Sequence, residues 1–70
     1  MNETPLWAEI ESNLRSRVSQ LSAYPSFVQS EVSEPYYVLT FERADGARLK
    51  VTFLYNVVRQ EVSVIRQEEI

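Results

Sequence analysis

Residues 36–55 constrain the fold more than any other stretch of this chain. Two runs of alternating character, Tyr-Tyr-Val-Leu-Thr-Phe-Glu-Arg and Arg-Leu-Lys-Val-Thr-Phe-Leu-Tyr, flank Ala44-Asp45-Gly46-Ala47. Asp-Gly between two period-2 runs signals a β-hairpin, because glycine supplies the left-handed backbone that tight turns demand. Two registers compete. A two-residue Asp45-Gly46 turn would set Ala44 against Ala47 and divide the apolar residues between both faces. A three-residue loop of Ala44, Asp45 and Gly46, with Gly46 left-handed as a bulge, pairs Arg43 with Ala47 instead. Phe41 then faces Leu49, Leu39 faces Val51 and Tyr37 faces Phe53, so that one face is apolar throughout. A slip of one residue would turn every side chain to the other face, so the hydrophobic pattern selects the three-residue loop.

An apolar sheet face needs a covering layer, and the N-terminal segment has the pattern of one. Thr4-Pro5 reads as an N-cap followed by proline at the first helical position, where its missing N–H costs nothing, with residues 1–3 frayed before it. Trp7, Ile10, Leu14, Val18 and Leu21 recur at spacings of three and four, which gathers them on one helical stripe with Leu6 beside it. Glu9 and Glu11 precede Arg15 and Arg17, so the charges complement the helix dipole, and Glu11 can pair with Arg15 one turn on. Tyr24 stands before Pro25 and is biased away from helical dihedrals, which ends the expected helix near Ser22 or Ala23. At 1.5 Å per residue such a helix is roughly 27 Å long, enough to lie across a sheet.

Two further strands complete the expected fold. Residues 27–33 form a weaker, more polar run suited to an edge, and Glu34-Pro35 turns the chain so that Val32 meets Tyr37 and Val28 meets Phe41. A loop of Val57, Val58, Arg59 and Gln60 sets Tyr55 against Val62 and Phe53 against Val64 in a last strand over 61–67, leaving residues 68–70 to fray. The predicted architecture is a single α+β domain: an N-terminal helix packed on one face of a four-stranded antiparallel meander in the order 1-2-3-4. Its predicted core is Trp7, Ile10, Leu14, Val18 and Leu21 from the helix. The sheet adds Val28, Val32, Tyr37, Leu39, Phe41, Leu49, Val51, Phe53, Tyr55, Val62 and Val64.

Composition narrows the chemistry. The 70 residues contain no cysteine and no histidine, which removes disulfides, thiolate zinc sites, imidazole ligands and the one side chain that titrates near neutral pH unperturbed. Every acid except Asp45 is a glutamate. Asp45 belongs to the turn, Glu9 and Glu11 to the solvated helix face, and Glu68 and Glu69 to the tail, so no pair reads as acid and base. There is no phosphate loop, nucleophile elbow or metal-ligand spacing. A non-enzymatic protein without cofactor or metal is expected. No apolar run approaches the ~20 residues that span a bilayer, and residues 1–6 lack the basic and apolar regions of a signal peptide, so a soluble, cytoplasmic protein is expected.

In this register Phe27, Tyr36, Val38, Leu54 and Ile65 all point away from the helix, with Val57 and Val58 at one end. A contiguous apolar patch on the outer face reads as a protein-interaction surface, and through it, or through an edge strand, the chain dimerises or holds a protein partner. Such a module has the character of an accessory, adaptor or inhibitor protein, of the kind phages and mobile elements encode. The alternative is a sheet-face binder of single-stranded nucleic acid using Arg43, Arg48, Lys50 and Tyr36. A net charge of −3 weighs against it, since phosphate binding is driven by cationic surface.

Overall fold

The computed structural model describes residues 7–70. The expected helix start at Thr4-Pro5, with residues 1–3 before it and Leu6 after it, lies outside the described residues. Helix α1 spans Trp7–Arg17, and a 3₁₀ segment over Ser19–Ala23 follows it. Strands β1 (Ser26–Ser33), β2 (Tyr36–Glu42), β3 (Arg48–Asn56) and β4 (Glu61–Glu69) come next. The strands form one antiparallel sheet in the order β1-β2-β3-β4, with the helix on one face. This is the predicted α+β meander.

The central hairpin adopts the register that keeps one face apolar: Tyr37 faces Phe53, Leu39 faces Val51 and Phe41 faces Leu49. Its loop closes as expected. The Arg43 N–H donates to the Ala47 carbonyl at 2.7 Å, the Gly46 N–H donates to the Arg43 carbonyl, and Gly46 has φ +95°. The β3–β4 pairs Tyr55 with Val62 and Phe53 with Val64 also form, across a turn of Val57 to Gln60 in which Gln60 takes φ +53°. Ile10, Leu14, Val18 and Leu21 are buried against Leu39, Phe41, Leu49, Val51, Phe53 and Val62. Trp7 meets Tyr37 edge-on at 5.9 Å, and Tyr37 stacks on Phe53 at 5.8 Å.

Four departures from the sequence reading have physical causes. The helix does not run through to Ser22: Val18 is extended (φ −112°, ψ 97°) and the chain re-enters as a 3₁₀ turn. The stretch from Ser16 to Ser22 is rich in serine, with a β-branched valine, and these residues hold a helix weakly. The Arg15 guanidinium rewards the break by donating to the carbonyls of Leu21 (2.9 Å), Tyr24 (3.2 Å) and Pro25 (3.3 Å) while keeping its bond to Glu11 (3.1 Å). Its guanidinium also lies 4.8 Å from the centre of the Phe41 ring. Tyr24, absent from the predicted core, is buried by this fold-back and donates its hydroxyl to Glu69 at 2.8 Å.

That bond belongs to the second departure. Residues 68 and 69 do not fray but extend β4, with Glu68 opposite Lys50 and Glu69 opposite Leu49, and the Ile70 N–H donates to the Arg48 carbonyl. The Tyr24 hydroxyl and the Ile70 backbone bond hold the end in place.

The third departure is in β1, where a bulge between Phe27 and Gln29 sets Phe27, not Val28, opposite Phe41. The two rings meet edge-on at 6.0 Å, a contact valine cannot make. Phe27 therefore faces the helix side and leaves the predicted outer patch.

The fourth concerns cover. No β1 residue is fully buried, Val28 is half-buried, and Val32, placed in the core by its pattern, is 51% exposed. A helix is about 10 Å across and a four-stranded sheet about 19 Å wide, so one helix covers half of it. Here α1 packs closest on β4, leaving β1 the least covered strand.

Candidate protein-interaction face

The face of the sheet opposite α1 carries no second layer among the described residues. Its geometry follows from the pleat: along β2 the residues alternating with buried Leu39 and Phe41 are Tyr36, Val38, Thr40 and Glu42, and along β3 Leu54 lies between Phe53 and Tyr55. Tyr36, Leu54 and Ile65 are 42%, 36% and 54% exposed, and Val38 is half-buried beside them. Tyr36, Thr52, Ile65 and Arg66 line a shallow groove of about 420 Å³. Of the predicted patch, the structure thus brings together Tyr36, Val38, Leu54 and Ile65. Val57 and Val58 are exposed at the β3–β4 turn, which adjoins the Leu54 end of the face, and the Asn56 side chain accepts from the Arg59 N–H to close that turn.

Thr52 follows from the β3 alternation without being singled out, whereas Arg66 belongs to this face and was missed by pattern alone. A bulge at Ile65 sets Val64 against Phe53 and Arg66 against Thr52, so the strand resumes its alternation one residue late. The signal was present in the adjacent apolar pair Val64-Ile65, which a strict period of two does not allow.

Register assembles a row across the whole sheet: Glu31 pairs with Val38, Val38 with Thr52, and Thr52 with Arg66. One end of the row is acidic and the other basic. Among the described residues Glu31 forms no ion pair, and Arg66 has only a 3.9 Å approach to Glu68 on its own strand.

The residues of the nucleic-acid alternative do not converge. Arg43 lies at the hairpin loop and is committed to Asp45 through two bonds of 3.0 and 2.9 Å, with its guanidinium 5.5 Å from the Tyr24 ring centre. Asp45 also accepts from the Ala47 N–H at 3.0 Å. Bonding to Arg43, then to Ala47, lowers the Asp45 pKa to about 2, and the same carboxylate raises that of Arg43. Arg48 pairs with Glu42 at 3.4 Å, and Lys50 lies opposite Glu68 in β4. Tyr36 begins β2, whereas Lys50 pairs with Thr40 four residues further along it, about 13 Å away at ~3.3 Å per residue.

Elsewhere, a shallow groove along α1 is lined by Ala8, Glu11, Ser12, Arg15 and Ser16, and its charges are occupied with each other and with the 3₁₀ carbonyls. The Tyr24 hydroxyl is raised above the usual tyrosine value by its bond to the Glu69 carboxylate and by burial. Among the described residues no group of three carboxylates is placed to hold a metal ion, and no helix is long and apolar enough to cross a membrane. In comparison with known proteins, no family model, no curated protein and no solved structure matches the chain.

Proposed function

We propose that this chain is a non-enzymatic protein-interaction module whose working surface is the outer face of the sheet. The observation that carries the reading is the cluster of Tyr36, Val38, Leu54 and Ile65 on adjacent strands β2, β3 and β4, in a face with no covering layer among the described residues. Apolar side chains scattered singly are ordinary, whereas a contiguous set rimmed by polar groups marks a contact surface. The face is favoured over the edges because both edge strands carry a bulge and exposed glutamates, devices that discourage strand addition. Leu54 is the residue to change, since it lies on an inner strand and owes nothing to the helix-covered core. Burying a leucine in a contact contributes roughly 1.5–3 kcal/mol, so its loss weakens binding by about tenfold or more, and a charge does greater harm. Leu54→Lys should leave the circular dichroism spectrum unchanged while removing self-association and capture of a protein partner. A partner held equally by wild type and Leu54→Lys would contradict the reading.

A further inference from the structure

We infer that the occupant of this face is a second copy of the same chain, docked sheet to sheet about a twofold axis that runs along the strands between β2 and β3. The inference rests on the reading of the outer face as a contact surface and adds the partner and its orientation. A twofold axis lying in the interface parallel to the strands reverses strand order without reversing strand direction. It places β1 of one protomer over β4 of the other and β2 over β3. The row Glu31–Val38–Thr52–Arg66 is then self-complementary: Glu31 of each copy meets Arg66 of the other, and Val38 meets Thr52, twice over. At the turn end of the face the same operation sets Tyr36 over Leu54. The alternative axis, perpendicular to the strands, stacks β1 on β1 and brings Glu31 toward its own copy, a like-charge juxtaposition.

Packed sheets cross at about 30°, which displaces the ends of a row ~7 Å from the axis by roughly 4 Å, within the reach of an arginine side chain. The size of the face sets the strength. Four strands at ~4.8 Å and seven residues at ~3.4 Å give about 460 Å² per copy, or a little over 900 Å² in total. That falls just under the ~1,000 Å² of a specific stable interface, so the dimer is a reversible one that dissociates on dilution.

A charge exchange tests the axis as well as the dimer. Sedimentation equilibrium over a concentration series up to about 1 mM, covering the micromolar range of weak interfaces, should show wild-type monomer and dimer in exchange. Glu31→Arg and Arg66→Glu should each raise the dimer Kd about tenfold or more, because like charges then oppose each other twice. The double variant should recover wild-type affinity to within a few-fold, with circular dichroism unchanged in all three. Single variants without effect, or a double variant no better than the singles, would overturn this arrangement. A wild type that stays monomeric throughout overturns the second copy as occupant. If Leu54→Lys nevertheless abolishes capture of a different protein, the contact face itself stands.

Discussion

Arg15 is the side chain on which the N-terminal third of the molecule turns. From one position it bonds to the Glu11 carboxylate and to the carbonyls of Leu21, in the 3₁₀ turn, and of Tyr24 and Pro25 just after it, and packs over Phe41. A guanidinium can do this because its donors lie in a fixed planar fork, whereas a lysine ammonium presents a single point. Arg15→Met, which keeps the apolar stem, should cost roughly 2–3 kcal/mol, the worth of hydrogen bonds to a charged group, and Arg15→Lys should recover little of it. Urea denaturation of the three proteins measures this directly. Asp45 gives a prediction in pH. Its folded pKa of about 2 lies below the ~3.9 of an unfolded aspartate, so its contribution to stability is present above about pH 4 and is lost as the pH falls through about 2. Asp45→Asn should flatten the fall of the urea midpoint between those values, and an unaltered slope would assign the acid sensitivity to other groups.

At the scale of elements, what could be read from the chain depended on whether a pattern had one solution. The β2–β3 register had one, because only the three-residue loop keeps Tyr37, Leu39, Phe41, Leu49, Val51 and Phe53 together, and the structure has that register. Gly46→Val should destabilise by about 1–3 kcal/mol through its backbone alone, since nothing lies within 4 Å of an added Cβ and φ is +95°. Ala47→Val should be tolerated, and equal thermal shifts for the two would contradict the turn. The helix stripe was equally legible through Leu14, and Leu14→Ala should cost ~2–5 kcal/mol in chemical denaturation. The helix break was not legible, because Val18 at the break and Leu21 beyond it both stay buried and the compensation comes from Arg15, a residue whose local partner Glu11 already satisfied the pattern. Bulges escape for a related reason. At Phe27 the deciding term is a ring contact with Phe41 across the sheet, and periodicity within β1 contains no record of it.

At the scale of the whole molecule, among the described residues the helix is narrower than the sheet and the opposite face has no second layer, which leaves two uncovered apolar regions of different character. On the helix side, Phe27 and Val32 are exposed along β1, with Ser30 between them on the same face. On the outer side, Tyr36, Val38, Leu54 and Ile65 form a contiguous set with acid at one edge and base at the other, and this set is the proposed contact face. Its composition was legible in sequence except where the two bulges intervened: one removed Phe27, the other brought in Arg66. Backbone and methyl chemical shifts recorded by NMR over a dilution series discriminate between the two regions in a single measurement. Concentration-dependent shifts should map to Tyr36, Val38, Leu54, Ile65 and Arg66 and leave Phe27 and Val32 unmoved. Shifts confined to Phe27 and Val32, or none on the outer face at any concentration or with a bound protein partner, would contradict the assignment of the outer face as the binding surface.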